Sequence, residues 1–137
     1  MYKDLDNFLY EETTINSWYN DGFLIVQDML TQFSSEDWEE LSENVLSKSL
    51  EWQKKLVYCL DNDINKNELN IIAKMLTIND PELFDMCIDS LRSFNNEIGK
   101  AFVLSNPSFI KLVKERIPYA GAATKKILQD FIDKFYL

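Results

Sequence analysis

The chain has 137 residues, of which 46% are hydrophobic and 27% are charged. That length and balance are typical of one globular domain with a core of its own. Only three glycines and three prolines are present, which argues against a β-sandwich or barrel because those folds need many tight turns. The sequence contains no membrane-spanning apolar run and no secretory leader, so we expect a cytoplasmic protein without a membrane partner.

The net charge of −9 is distributed unevenly along the chain. Residues 1–46 carry eleven acidic side chains and one basic one, whereas residues 101–137 carry three acidic and six basic ones. An acidic surface repels nucleic acid and attracts basic proteins, so we expect no nucleic-acid partner. The alternative is phosphate contact through the basic C-terminal side chains, which are Lys111, Lys114, Arg116, Lys125 and Lys126.

Helical periodicity begins at 15–32, where the spacing predicts one stripe formed by Trp18, Gly22, Ile25 and Met29, with Val26 and Leu30 beside it. Glycine on such a stripe indicates a close contact between helices, although it also weakens the helix.

A second amphipathic helix is predicted to follow Ser34 or Ser35, both favoured N-cap residues. Trp38, Leu41 and Val45 share the face expected to lie in the core. Carboxylates cover the opposite side of the same helix: Glu36, Glu39, Glu40 and Glu43.

Further helices follow to the end of the chain, and two helical pairs are predicted: 67–78 with 80–95, and 107–117 with 120–136. Asp80 and Pro81 are suited to the N-cap and first position of the helix that follows them. The helix at 107–117 carries the apolar residues Phe109, Leu112 and Val113. The whole chain, 1–137, is therefore predicted to be a single all-α domain of about eight helices, arranged as an irregular bundle or a short α-solenoid.

The sequence lacks the residues of common active sites. It has no histidine, which removes the commonest general base and most transition-metal sites. Cys59 and Cys87 lie in apolar helical patterns and are predicted to be buried free thiols. The segment 61–66, DNDINK, begins like a calcium loop, but Lys66 replaces the glycine that the turn requires. We expect no catalytic residues, no bound metal and no cofactor.

The acidic helix has three interpretations: a solvated face that gives solubility, carboxylates that hold Mg²⁺ for a hydrolase, or a docking surface for a basic protein. We favour docking because the acidic excess extends over residues 1–46 and aromatic residues, typical of binding hot spots, lie in the same region. The alternative for each aromatic residue, Tyr58 included, is core packing. The predicted partner-binding residues are Asp21, Asp28, Glu36, Asp37, Glu39, Glu40, Glu43, Trp18, Tyr19, Trp38 and Trp52, the aromatic ones only where they are exposed.

The sequence resembles a known helical repeat and a known group of small proteins, and the second resemblance implies a function. The stretch 67–95 resembles a HEAT-like helical repeat through the Asp80-Pro81 turn and the inward stripe of Leu83, Cys87 and Leu91. The resemblance extends over about 67–136 and is poor for 1–46. The size, the acidic Trp-containing N-terminal half and the missing catalytic residues are similar to the small acidic helical immunity proteins of bacterial contact-dependent growth inhibition and other polymorphic toxin systems.

The second resemblance implies an antitoxin that binds the basic C-terminal domain of a cognate toxin one-to-one, as a monomer. Many such toxins are nucleases that act on RNA, and an acidic inhibitor suits them because it imitates the charge of the nucleic acid and accelerates encounter. The alternative function is a helical adaptor in an intracellular complex.

Overall fold

The structure, a computed structural model, describes residues 1–11, 17–60, 65–93 and 97–135. These ranges contain nine α-helices and no strand, which confirms the predicted all-α class. The helices are α1 (Tyr2–Tyr10), α2 (Phe23–Thr31), α3 (Ser35–Asn44), α4 (Leu50–Val57), α5 (Lys66–Met75), α6 (Pro81–Ser93), α7 (Glu97–Leu104), α8 (Pro107–Arg116) and α9 (Ala122–Phe135). A π-helical turn at Trp18–Gly22 and two 3₁₀ turns, Val45–Ser47 and Ile117–Tyr119, complete the elements. Of the helices in these ranges, none has the length and apolar content needed to cross a bilayer.

Side-chain caps fix where several helices begin. Ser34 accepts a hydrogen bond from the backbone N–H three residues further on, at 3.2 Å, and Ser49 does the same at 3.2 Å. Asn65 and Asp80 cap α5 and α6 in this way, each at 2.9 Å. The predicted caps at Ser34 and Asp80 are confirmed. Asn65 belongs to the segment 61–66, whose residues 61–64 lie outside the described ranges.

The helices pack as a compact bundle with α6 near its centre. α6 contacts α4, α5 and α9, while α1 covers α2, α3 and α4. The buried side chains from these elements form one continuous hydrophobic cluster. Of the two predicted arrangements, the irregular bundle describes the packing, and the predicted helical pairs correspond to α5 with α6 and α8 with α9.

Two polar contacts join helices that are distant in sequence. Asp6 on α1 lies 2.9 Å from the ammonium of Lys48, and the same carboxylate oxygen accepts the indole N–H of Trp52 on α4 at 3.1 Å. Arg116 on α8 donates two hydrogen bonds to the carboxylate of Asp85 on α6, at 3.2 and 3.0 Å. Both contacts are partly shielded from water, which makes them stronger than exposed ion pairs.

The predicted stripe at 15–32 is wrong in its second half. Trp18 and Gly22 are buried as expected, but Ile25 is 44% exposed, and Val26 and Leu30 occupy the buried positions. The cause is the π-helical turn at Trp18–Gly22, which holds one residue more than an α-helical turn. Each later buried position is therefore occupied by the residue that follows the predicted one. The buried stripe consequently advances in steps of four residues.

Candidate protein-binding surface

The four glutamates of α3 form one exposed row, which we call the acidic ridge: Glu36, Glu39, Glu40 and Glu43. Their spacing places them on one side of the helix, while Trp38 and Leu41 bury the other side. The prediction of a core face opposite a row of carboxylates is therefore confirmed. None of the four glutamates forms an ion pair with any residue in the described ranges.

The acidic ridge weakens the helix that carries it. Glu36 and Glu40, and likewise Glu39 and Glu43, are like charges four residues apart, an arrangement that costs about 0.2–0.5 kcal/mol per pair. Glu43 also lies in the last turn, at the negative end of the helix dipole, and that turn contains no basic residue. A cationic partner would relieve these repulsions, whereas solvent alone only screens them.

The other predicted acidic residues have different roles. Asp37 caps α3: one carboxylate oxygen accepts the backbone N–H and hydroxyl of Ser34, and the other accepts the backbone N–H of Tyr2 at 3.1 Å. Both of its oxygens are occupied by the fold, and its place in the partner-binding set stays a prediction. Asp28 is exposed on α2 and accepts a hydrogen bond from Gln32 at 3.0 Å. Asp21 is exposed in the π-helical turn.

All three tryptophans are buried, which corrects their assignment as anchors of an interface. Trp18 is 6% exposed, Trp38 8% and Trp52 1%. Trp38 packs edge-on against Phe33, with ring centroids 5.1 Å apart. Large aromatic residues supply much of the area that a small core can bury, and these three are used for packing. Of the four predicted anchors, Tyr19 alone is exposed, at 51%.

Tyr19 belongs to a surface cluster that we call the aromatic patch, formed by Tyr19, Phe23 and Tyr58. The rings of Tyr19 and Tyr58 meet edge to face at 5.1 Å, and Phe23 meets Tyr58 in the same manner at 5.5 Å. Tyr58 is 40% exposed, so both tyrosines are accessible to a partner. Asp21, an acidic residue, follows Tyr19 by two positions in the same π-helical turn.

The π-helical turn holds a buried residue, Trp18, directly before an exposed one, Tyr19. Gly22 faces the indole of Trp18 directly, which lets the indole fold inward over the backbone. The neighbouring residue, Tyr19, lies at the surface and meets the ring of Tyr58. π-helical turns inside helices are frequent at functional sites, and here the turn separates a buried aromatic ring from an exposed one.

A polar cleft of about 230 Å³ lies beside the acidic ridge, between α3 and α5. Glu39 stands at this cleft, and its walls carry hydroxyl and amide groups together with part of Trp38. Its lining residues are Ser35, Trp38, Glu39, Ser42, Asn67, Asn70 and Ile71. The cleft has room for one long side chain, and a lysine or arginine there would meet oxygen acceptors and the Glu39 carboxylate.

Metal ligands and reactive thiols do not cluster in the described part of the chain. Within it, no group of three or more Asp, Glu, Cys or His side chains converges as a metal site. Cys59 and Cys87 are both buried and form no disulfide, which confirms that prediction. Burial raises the pKa of the Cys87 thiol to about 12, so it stays protonated and is a poor nucleophile.

Comparison with known protein families, with curated proteins and with solved structures finds no match to this chain.

Proposed function

We propose that this chain is an immunity protein that binds a basic toxin domain through the acidic ridge and the aromatic patch, and thereby neutralises it. The observation that carries the proposal is the acidic ridge, four exposed like charges that form no ion pair within the described ranges. A stable helix does not need this arrangement, and a basic partner would relieve its repulsion. The partner is a cognate toxin C-terminal domain, a nuclease acting on RNA, and the complex forms one-to-one in the cytoplasm.

The two surface features have different tasks in this mechanism. The acidic ridge steers the encounter, because long-range attraction between opposite potentials raises association rates by about 10- to 1,000-fold at low ionic strength. The aromatic patch retains the complex, because tyrosine rings bury a large area at little conformational cost and are common binding hot spots. The polar cleft at Glu39 accepts one basic side chain of the toxin and fixes the orientation of the two proteins.

The first experiment is capture of the tagged protein's partners from native lysate at low and at high salt, with mass spectrometry of the retained proteins. We expect a basic toxin domain that high salt releases more readily. Retention of housekeeping proteins alone would contradict the toxin and favour the adaptor.

With the partner in hand, the double variant Glu36→Lys with Glu40→Lys tests the acidic ridge. We expect the association rate at low salt to fall about 10-fold or more and its salt dependence to flatten, with little change in dissociation. The matched control, Glu51→Lys with Asp133→Lys, changes the net charge equally at exposed positions on other helices. Equal effects of the two double variants would show that overall charge, rather than the ridge, controls association.

The aromatic patch is tested by Tyr19→Ala and Tyr58→Ala, which should each accelerate dissociation and weaken binding by about 1–2 kcal/mol. Tyr119→Ala is the control, since Tyr119 is 83% exposed but lies on the 3₁₀ turn after α8. Unchanged dissociation in both patch variants would remove the patch from the interface.

A further inference from the structure

The C-terminal end of α3, the helix of the acidic ridge, receives side-chain donors from two other helices. The ammonium of Lys74 on α5 donates a hydrogen bond to the backbone carbonyl of Ser42 at 2.7 Å. The side-chain amide of Gln53 on α4 donates to the carbonyl of Val45, the C-cap residue of α3, at 2.8 Å. The last carbonyls of an α-helix lack partners within the helix, so these two donors tie the end of α3 to the rest of the bundle.

Of these two donors, Lys74 alone carries a charge. The last turn of α3 contains no basic residue of its own, and it lies at the negative end of the helix dipole. A cation at that end stabilises a helix, and more so where the contact is partly shielded from water. The hydrogen bond from Lys74 is part-buried. α5 therefore supplies the charge that the end of α3 lacks.

The ammonium of Lys74 is bound to the backbone of α3 and not to its carboxylates. In the part of the chain that the structure describes, no ion pair joins Lys74 to a glutamate of the acidic ridge. Glu39 and Glu43 stand on either side of Ser42 in sequence, and both are exposed. The contact thus steadies the turn that carries these carboxylates without neutralising them.

The same hydrogen bond lies beside the polar cleft between α3 and α5. Ser42 lines the cleft, and Lys74 follows Asn70 and Ile71, which line it from α5, by one helical turn. The bond therefore joins the two helices that form the walls of the cleft. Glu39, the carboxylate at the cleft, belongs to the wall that this bond holds.

We propose that Lys74 is a positioning residue of the docking surface, because it holds the last turn of α3 and the adjoining cleft wall in the geometry that a basic partner meets. This inference rests on the proposed binding of a basic domain at the acidic ridge. A preorganised surface binds more tightly because less ordering has to occur on association. Lys74 acts through the backbone of α3, since its own charge opposes a cationic partner.

Two substitutions at position 74 separate geometry from charge. Lys74→Met removes the hydrogen bond and the charge, whereas Lys74→Arg retains a charged donor. In the methionine variant, loss of a positive charge beside the acidic ridge should raise the rate of association with a basic domain. Loss of the fixed turn should raise the dissociation rate by about 5-fold or more, so that binding weakens although the surface becomes more acidic. The arginine variant should restore slow dissociation.

Lys66→Met is the matched control, because Lys66 is exposed at the start of the same helix and its loss changes the net charge equally. The binding partner is the basic toxin domain retained in the capture experiment, and surface plasmon resonance at low salt gives both rates. We expect unchanged dissociation in the control. Unchanged or slower dissociation in Lys74→Met, or equal effects of the two methionine variants, would overturn the assignment.

Amide hydrogen exchange of the free chain tests the same contact without a partner. We expect the amides of residues 42–47 to exchange about 10-fold faster or more in Lys74→Met, but not in Lys74→Arg or Lys66→Met. Unchanged rates in α6 would verify that the methionine variant is folded. Unchanged exchange at 42–47 would overturn the positioning role and leave the toxin proposal standing. If capture yields no basic domain, the toxin proposal fails first, and the exchange rates still decide whether Lys74 holds the turn.

Discussion

Gly22 faces the indole ring of Trp18 so closely that a methyl group on its Cα would lie 2.7 Å from ring carbon Cε3. That distance is far inside van der Waals contact, so any larger residue at position 22 must displace the indole. The packing of the Trp18 indole against the backbone of the π-helical turn depends on this contact.

Gly22→Ala should therefore destabilise the protein, although alanine is the better helix former by about 1 kcal/mol. Overpacking costs about 1–3 kcal/mol, and the net loss should be about 1 kcal/mol or more in urea unfolding. Gly121→Ala is the control, since nothing lies within 4 Å of a Cβ at that position and only a helix-start preference is lost. A Gly22 variant as stable as the parent would mean that the indole moves without cost.

Asp6→Asn tests the contact between α1 and α4. The Asp6 carboxylate serves both the Lys48 ammonium and the Trp52 indole, and the side chain of Lys48 is only 12% exposed. Removing the negative charge leaves a shielded cation without its partner, and we expect a loss of about 1–3 kcal/mol in the free energy of unfolding. Asp4→Asn, the same change at an exposed position of α1, should cost a few tenths of a kcal/mol. Equal losses would indicate that only the charge at the helix start matters.

Asp37→Asn should change how stability depends on pH. Backbone hydrogen bonds from Ser34 and Tyr2 lower the pKa of Asp37 below its ordinary value of 3.8. A group whose folded pKa is depressed stabilises the fold above the unfolded pKa, and that contribution is lost as the pH falls through the folded value. We therefore expect the variant to be less stable at neutral pH and to lose less stability below about pH 4.

Urea unfolding at a series of pH values measures that difference. Glu39→Gln is the matched control, because it removes a carboxylate from an exposed position of the same helix. Equal changes in the acid limb of both variants would show that the loss of any carboxylate from α3, and not of the hydrogen bonds from Ser34 and Tyr2, is responsible. An Asp37 variant with an unchanged acid limb would contradict the assigned cause.

Arg116→Lys tests the link between α6 and α8. A lysine retains the charge but cannot make both hydrogen bonds that the guanidinium gives to Asp85. The expected cost is about 0.5–1.5 kcal/mol of unfolding free energy. Lys126→Ala removes an exposed ion pair with Asp130, at 3.9 Å, and should cost less than about 0.5 kcal/mol. No loss in the lysine variant would show that a single charge is sufficient.

Local sequence patterns predict the helices from residue 15 onward because each pattern repeats within one helix, but no helix is predicted at Tyr2–Tyr10, which is α1. The caps at Ser34 and Asp80 could be predicted because a cap involves residues only three positions apart. Ile25 was assigned to the wrong side because a π-helical turn has no clear sequence signal that distinguishes it from an α-helical turn. Leu112 on α8 is 40% exposed, and how far neighbouring elements cover a position depends on packing, which periodicity cannot show.

The sequence also predicts only part of the candidate site. The acidic ridge could be predicted because its spacing is local to α3. The aromatic patch could not, since Tyr19 and Tyr58 meet only through packing of distant segments, and Phe23 gave no separate signal. Aromatic composition predicted binding residues but not which of them are exposed, so the buried tryptophans were included with Tyr19.

The two buried thiols make this chain convenient to label. Cys59 and Cys87 are both 0% exposed, and the pKa of about 12 at Cys87 keeps that sulfur unreactive toward maleimides near neutral pH. A new cysteine at an exposed position, such as Glu43→Cys on the acidic ridge or Lys111→Cys on α8, would then be the preferred attachment point without removal of the native ones. The two single-cysteine additions, labelled separately, would report on α3 and on α8 in chains of otherwise natural sequence.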